Sequence, residues 1–451
     1  MRLNLDIELL RDIFKASGYE LYLVGGCVRD TLMGIEPHDW DMCTNAEPDE
    51  IVMVLKANDI SFHTVGLKFG TITAQLSSFD YEITTFRKET GYSDSRHPDK
   101  IEWAKNIEED LARRDFTINA IAYNLLTDEY VDPYGGIDDI KAGVLKSVGR
   151  AHERFGEDAL RILRGIRFAI KYNLFITNDV ALNMHYYVED LDNISKERIT
   201  DELFKILACN KPVSELFLRF SDIICKVIPE MEKCLGIRHN NKYHQHSIYE
   251  HILAVVDLCN TDDVIIKLAA LLHDIGKPDC KVTGEDGWSH YYGHDEVSYN
   301  ITKEILKKDL VLTSEQSERL LNLVRYHDMV IESTHKSMRR ALNKFGESFI
   351  RDWFVLKKAD QDDHVIPEGC RDYRMNILNL VYILNDIILD EECFKLKDMK
   401  INGKDVMEIL NIKPSKQVGE VLDKVFNEVI DGVVENKRDV LINRVKELYC
   451  E

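Results

Sequence analysis

The sequence predicts an α+β chain: a small α/β domain at the N-terminus followed by an all-α remainder. Three observations predict it. A strand–turn–helix–strand signature occupies residues 21–44, LYLVGGCVRDTLMGIEPHDWDMCT. Three more strand-like runs follow at residues 61–65, 71–76 and 81–85, punctuated by Gly66 and Gly70. Beyond residue 155 the apolar residues recur at helical rather than strand spacing.

Taken in order, residues 1–14 read as an amphipathic helix. Asp6, Glu8, Arg11 and Asp12 interrupt any apolar core, so the segment is not a signal peptide. Leu21–Val24 is a short apolar run, read as a buried strand. Gly25 and Gly26 follow, and let the backbone turn tightly and bring amides close to an anion. Residues 28–33 have helical character. Arg29, placed at the start of a helix that follows the glycines, suits a phosphate better than it suits the helix dipole. Asp39 and Asp41 are two residues apart, and on a strand they share a face while Trp40 and Met42 turn to the core. Two adjacent carboxylates repel unless a cation sits between them, and hard oxygen ligands suit magnesium. A phosphate cradle beside such a pair is the apparatus of nucleotidyl transfer. The plainer alternative, a glycine turn followed by surface acids, accounts for either half alone but not for both in order.

Composition sets outer bounds. The 451 residues suggest about three domains. A hydrophobic content of 45% and a charged content of 30% are ordinary for a globular chain. The net charge of −21 argues against a nonspecific basic coat for nucleic acid, so any RNA contact needs a local positive track. The ten cysteines form no CxxC and no even framework, which argues against structural zinc and disulfides and fits a reducing, cytoplasmic setting. No apolar run is long enough to span a bilayer.

GGCVRDTLMG followed by DWD resembles the first motif of the class II tRNA nucleotidyltransferase and poly(A) polymerase family, bacterial type with an HD domain. Gly25, Gly26, Arg29, Asp39 and Asp41 fall on its fixed positions. The resemblance implies a nucleotidyltransferase palm with Mg2+ on Asp39 and Asp41. It also implies the building of the CCA end of tRNA without a nucleic-acid template, from CTP and ATP. Residues 85–98, TFRKETGYSDSRHP, read physically as a surface loop. By resemblance Phe86, Arg87, Glu89, Tyr92, Asp94, Arg96 and Pro98 belong to the flexible loop used in switching from CTP to ATP, with His97 where an Arg is usual. Residues 110–122, DLARRDFTINAIA, place Arg113, Arg114 and Asp115 ahead of apolar positions, as at a solvated helix start. They also match the family motif RRDFTINA, which includes Asn119. There the arginines face the triphosphate and Asp115 reads ribose hydroxyls. DPYGG at residues 132–136 is a turn by its chemistry and a family landmark.

Residues 155–171, FGEDALRILRGIRFAIK, read as one helix with two faces. At about 100° per residue, Arg164, Arg167 and Lys171 share one face with Arg161 at its edge, while Leu163, Ile166 and Ile170 lie opposite. Asp158 lies about 60° from Arg161, within reach. Three arginines spaced by three overload one face unless an anion is there. Asp158 and Arg161 together offer an acceptor and a forked donor, able to pair with the edges of C and A and to leave G and U mismatched. EDxxRxxR is the family's nucleotide-selecting motif, filled here by Glu157, Asp158, Arg161 and Arg164. ERITDEL at residues 197–203 resembles the next landmark. Arg198 and Glu202 in it either orient the selecting helix or form a plain i,i+4 salt bridge.

The second half is rich in histidine: GIRHNNKYHQHSIYEHI, then LAALLHDIGK, then His294, His327 and Asp360. Separated His and Asp ligands suit divalent metals. The pattern resembles the HD superfamily of metal-dependent phosphohydrolases. The implied ligands are His251, His273, Asp274 and Asp360, with His294 and His327 for a second ion, and Mn2+, Ni2+ or Mg2+ as the metal. His251 is read as opening a helix over residues 251–258. Either the site hydrolyses phosphate esters, or the domain is a helical body that grips tRNA. The remainder is helical by periodicity, and its lysines are the expected phosphate contacts at the tRNA elbow. The expected division is 1–150 palm, 151–234 neck, 235–365 HD domain and 366–451 tail. The expected partners are tRNA, CTP and ATP, with no membrane and no protein partner. Within the family the alternatives are an A-only or CC-only adder or a poly(A) polymerase. Outside it, the alternative is an RNA-binding protein with dead sites.

Overall fold

In the computed structural model of the chain, residues 3–77, 79–90, 100–366, 374–389 and 395–449 are described. They divide into two compact units. Unit 1 comprises residues 1–229 with 309–311, and unit 2 comprises 230–308 with 312–451.

Unit 1 opens with α1 (Leu5–Ala16), capped by Asn4, whose side chain accepts from the amide of Ile7. Then come β1 (Leu21–Val24), α2 (Gly26–Leu32), β2 (Asp41–Thr44), α3 (Pro48–Ala57), β3 (Ser61–His63), β4 (Thr71–Leu76) and β5 (Phe79–Thr85). A hairpin of β6 (Arg87–Thr90) and β7 (Lys100–Trp103) follows, then α4 (Ile107–Ala112), β8 (Ala122–Asn124) and β9 (Glu129–Val131). Seven strands form one sheet in the order β3-β4-β5-β2-β1-β8-β9. Every pairing in it is antiparallel except β2 with β5. That single parallel pair matters, because it sets Asp41 opposite Glu82.

One face of the sheet is buried, and the other is buried over β2, β1 and β8 but open over β3, β4 and β5. On one, Ile7, Leu10 and Phe14 of α1 pack with Leu23, Met42, Leu55, Ile72 and Ile83. On the other, Tyr22, Val24, Cys43, Phe86, Leu111 and Ala122 cluster. Alternation along β2 therefore sends Met42 to the first face and Asp41 with Cys43 to the second. Trp40 packs, partly buried, against the first cluster.

Beyond the sheet lie α5 (Gly136–Ala142), β10 (Val144–Leu145), α6 (Ala151–Glu157), α7 (Leu160–Tyr172), β11 (Phe175–Ile176), α8 (Asn178–Tyr186) and α9 (Lys196–Leu207). The single helix expected over residues 155–171 is two. Asp158 takes extended backbone angles, φ −149° and ψ 104°, and ends α6. The break frees the Asp158 side chain from the helix face, and its carboxylate accepts from the amide of Leu160. Leu163, Ile166 and Ile170 are buried, as their periodicity requires. Gly165 lets α7 sit against Phe116, whose ring would lie 3.0 Å from an added Cβ.

Unit 2 is helical apart from the short hairpin β12 (Val282–Thr283) with β13 (Ser289–His290). Its first helices in order are α10 (Ile248–Leu258), α11 (Val264–Leu272), α12 (His294–Lys308), α13 (Ser314–Tyr326), α14 (His335–Phe345) and α15 (Glu347–Asp362). α10 begins three residues before His251, because Ser247 and Glu250 form a capping box. His251 is thus one turn inside the helix and not at its start. The last helices are α16 (Arg374–Leu389), α17 (Gly403–Leu410), α18 (Lys416–Ile430) and α19 (Arg438–Tyr449). The last three close their own core around Val421, Val425 and Leu441. Asn436 ties the entry of α19 to the chain before α17, donating to Asp398 O and accepting from Lys400 N.

Candidate functional sites: an arginine cavity and a histidine cluster

Unit 1 holds a cavity of about 630 Å³. Eight arginines line it against three aspartates, so a chain of net charge −21 carries a concentrated positive interior here. Gly25, Gly26, Arg29, Asp41, Arg113, Arg114, Asp115, Asn119, Asp158, Arg161, Arg164 and Arg167 all line it. Of the nucleotide and metal positions read from the sequence for this half, only Asp39 is outside the lining. It precedes β2 in an exposed loop, so the two acids do not share one strand as expected.

Asp41 is half-buried. Burial pushes its carboxyl above the ordinary value, Glu82 and Asp39 add to this, and Arg114 and Arg29 oppose it. A divalent cation relieves such a cluster, and the oxygen donors fit a hard ion. Glu82, facing Asp41 across the parallel pair, is a third carboxylate that sequence reasoning missed. Nothing local marks it, since it is one exposed residue on an alternating strand and only the pairing of β2 with β5 brings it to the site.

Gly25 is needed twice over. Its φ is +69°, and an added Cβ would lie 2.8 Å from Nη1 of Arg114. Arg29 is four residues into α2, not at its start. It is nearly buried, donates to Asn119 Oδ1 and Asp30 Oδ1, and lies over the rings of Tyr172 and Phe168 at 4.5 and 5.3 Å.

Arg113 and Arg114 follow the end of α4 and do not begin a helix. Their partner is Asp110, which is fully buried and paired with both at 2.8 and 3.2 Å. Burial alone would raise the Asp110 carboxyl, but the two guanidiniums hold it below its ordinary value. The i,i+3 and i,i+4 spacing to two arginines was the available signal. Asp115 accepts from Asn119 Nδ2 at 2.9 Å and pairs with Arg164 at 2.7 Å. These contacts outweigh burial and hold its carboxyl far below the usual range.

Asp158 and Arg161 do not pair with each other. Asp158 pairs with Arg198 at 2.8 Å. Arg161 is held by Glu157 and donates to the carbonyls of Arg154 and Arg113. Arg167 pairs with Glu202 and lies 4.6 Å over Phe168. Arg198 and Glu202 thus each hold a residue at the cavity, and the plain Arg198–Glu202 bridge does not form. In the loop assigned to nucleotide switching, Phe86 is fully buried and Arg87 lines the cavity. Tyr92, Asp94, Arg96, His97 and Pro98 lie outside the described residues, as does the side chain of Glu89.

In unit 2 the four expected ligands converge. His251 Nε2 lies 3.3 Å from Asp274 Oδ2 and 3.4 Å from Asp360 Oδ1. His273 Nε2 lies 3.3 and 3.9 Å from the same two carboxylates. His294 and His327 approach the other oxygen of Asp274, at 3.4 and 3.6 Å. His273, His294 and His327 each turn Nδ1 to a backbone carbonyl, at 2.7–2.8 Å, and His251 turns Nδ1 to Asp363 at 2.7 Å. This outer bonding fixes Nε2 towards a common centre, the arrangement of metal-binding histidines. Nε2 of His251, Nε2 of His273 and Oδ1 of Asp274 are buried without a hydrogen bond, while Oδ2 of Asp274 lies 2.5 Å from Lys277 Nζ. Such orphans are costly unless an ion completes them. Burial disfavours a charged His251, yet Asp274, Asp360 and Asp363 raise it to about 10. Lys277 and Lys357 answer these carboxylates in part, and a divalent ion on the same donors would answer the rest without a proton on His251.

With both sites described, the relatives can be placed. Residues 21–146 match the family described as Poly A polymerase head domain, and 173–234 match Probable RNA and SrmB- binding site of polymerase A. Residues 242–363 match HD domain, and 383–445 match tRNA nucleotidyltransferase domain 2 putative. The CCA-adding enzyme of Limosilactobacillus reuteri DSM 20016 is 43% identical over 439 residues, covering 96% of this chain and 94% of the relative. The chain belongs to the CCA-adding enzyme family. Another CCA-adding enzyme, from Ligilactobacillus salivarius UCC118, is 31% identical over 444 residues, at 97% and 95% coverage. The crystal structure of the Bacillus stearothermophilus CCA-adding enzyme in complex with CTP shares the fold. It has a TM-score of 0.69 at 23% identity and covers 99% of this chain and 98% of that one. Nucleotidyltransferases of this family generally use a divalent metal, and the group of His251, His273 and Asp274 and the group of Asp274, His294 and His327 could each hold one.

Proposed function

We propose that the chain adds C, C and A in turn to the 3′ end of tRNA, from CTP and ATP, with Mg2+ on Asp39 and Asp41. The observation that carries this reading is the cavity itself: eight arginines around Gly25 and Gly26, with Asp41 at the start of the central strand β2. The 3′ hydroxyl of tRNA attacks the α-phosphorus of the nucleotide, a new phosphodiester forms, and pyrophosphate leaves. Bound magnesium supplies Lewis acidity, activating the hydroxyl and neutralising developing charge. Arg29, Arg113, Arg114, Arg164 and Arg167 hold the triphosphate. Asn119 aligns Arg29, and Asp115 aligns Arg164 beside the ribose. Asp158 and Arg161 read the base edge, with Arg198 and Glu157 as their positioning partners.

The test is incubation of tRNA lacking CCA, CA or A with each nucleotide singly, with product length read on a gel. CTP should extend the first substrate by two residues and ATP the last by one. Extension of only the CC-ended tRNA, by ATP, would demote the reading to A-addition.

The orphaned ligand atoms of His251, His273 and Asp274 favour a second activity, metal-dependent hydrolysis of phosphate esters with Mn2+, Ni2+ or Mg2+. Hydrolysis of 2′,3′-cAMP, in which water opens the cyclic diester to a phosphomonoester, abolished by His273→Ala or Asp274→Ala, would establish it. No hydrolysis with any of the three metals would leave a helical tRNA-gripping body. The division into palm 1–150, neck 151–234, HD domain 235–365 and tail 366–451 belongs to the same reading. So do contact of the tail lysines with the tRNA elbow and a cytoplasmic location.

A further inference from the structure

Unit 2 holds more imidazole than a two-ion cluster uses. His239 and His244 sit on the loop between Arg238 and Ser247, which is closed by an isolated antiparallel bridge between those two residues. The loop is pinned twice. Val365 N–H donates to Tyr243 O at 2.8 Å, and the Tyr291 hydroxyl donates to His239 O at 2.9 Å. His364 follows α15, four residues beyond Asp360. Its ring meets that of His244 edge to face at 4.3 Å, and the His244 ring lies 4.6 Å from that of His251. One ligand atom from each of His244, His251 and His364 falls within 4.8 Å of the others. His239, 1% exposed, stacks flat on His244 at 3.8 Å and fixes its plane.

Two facts separate these rings from packing. Nδ1 of His244 and Nε2 of His364 are buried with no hydrogen-bond partner. Histidines held only by packing pair such atoms with carbonyls or water. One of the two also faces a carboxylate: Nε2 of His364 lies 3.5 Å from Asp360 Oδ1. Two imidazole nitrogens with one carboxylate oxygen suit zinc, nickel or iron better than magnesium.

We propose that His244 and His364, with Asp360 as a shared carboxylate, hold a further divalent transition-metal ion beside the one on His251, His273, Asp274 and Asp360. The proposal rests on the reading of unit 2 as a metal site. The Asp360 carboxylate bridges the two ions, and the His239 ring is the positioning group beneath His244.

The test is metal content. The full-length protein is stripped, reloaded with zinc, desalted and counted by mass spectrometry. About three ions per chain are expected in the wild type. One fewer is expected in His244→Ala/His364→Ala, with the circular dichroism unchanged. If that pair fails to fold, His244→Gln/His364→Gln replaces it. Two ions in the wild type, an unchanged count in the folded variant, or the loss of more than one ion from it would each overturn the proposal. A wild type that retains no zinc would overturn the metal reading of unit 2 as well. A folded variant that keeps the full wild-type count, by contrast, sinks only this inference.

Discussion

The arginine cavity and the histidine cluster are built on opposite principles. In the cavity most charges are already answered: Asp110 by Arg113 and Arg114, Asp115 by Arg164, Asp158 by Arg198, Glu202 by Arg167. These pairs hold the guanidiniums in place before any nucleotide arrives. The exception is the group Asp39, Asp41 and Glu82, which makes no ion pair among the described residues. In the cluster Lys277 and Lys357 answer one oxygen each of Asp274 and Asp360, but Nε2 of His251, Nε2 of His273 and Oδ1 of Asp274 are buried without a hydrogen bond. On the proposed reading a ligand enters a finished cavity in unit 1, whereas in unit 2 an ion would complete the cluster. Pre-paired charge therefore marks a site that takes a mobile substrate, and orphaned charge marks one that keeps a resident ion.

The largest effect that would sharpen this contrast is at the exception. Asp41→Asn should lower nucleotide addition by about 10³-fold, roughly 4 kcal/mol of transition-state stabilisation, while the fold is unchanged. A rate assay with circular dichroism checks both. Next is Asp110→Asn, which leaves two guanidiniums without their buried partner. It should cost about 3–5 kcal/mol by urea unfolding. The Asp110 carboxyl is depressed in the fold below the ordinary 3.8. Its contribution is therefore fully present above that value and is lost as pH falls through the lower, folded one. Wild-type stability should drop in that acidic range, and the variant should lack that part of the drop.

Stripping metal with a chelator comes third. Loading at about a thousand times the dissociation constant is worth about 4 kcal/mol to whichever unit binds it. Hydrogen exchange should quicken around His251 and His273 and leave α7 unchanged. Equal quickening in both units would break the contrast. The smallest effect is Glu82→Gln, which should weaken the metal dependence of addition by about 10–100-fold and spare the rate at saturating metal.

Much of this was legible in the sequence, and what was not has physical causes. Leu21–Val24 and Thr71–Leu76 have the bounds their apolar runs predict, because burial alone decides such strands. The break at Asp158 was not legible. Periodicity ran on through it, whereas the Asp158 carboxylate both accepts from the amide of Leu160 and pairs with Arg198, on α9 forty residues later. The HD ligands were legible as motif letters. His244 and His364 were not, because a histidine-dense loop does not tell which ring faces inwards until the pinned backbone sets His244 against His364. Glu82 needed the parallel pairing that no local pattern encodes.

The account turns on a cavity that holds any triphosphate with its arginines and chooses the base with Asp158. Incorporation of each of the four nucleotides into tRNA lacking CCA, by wild type and by Asp158→Ala, tests this most directly. The wild type should use CTP and then ATP alone, and the variant should bind triphosphate with little change but also incorporate UTP or GTP. A variant that still confined itself to C and A would contradict the assignment.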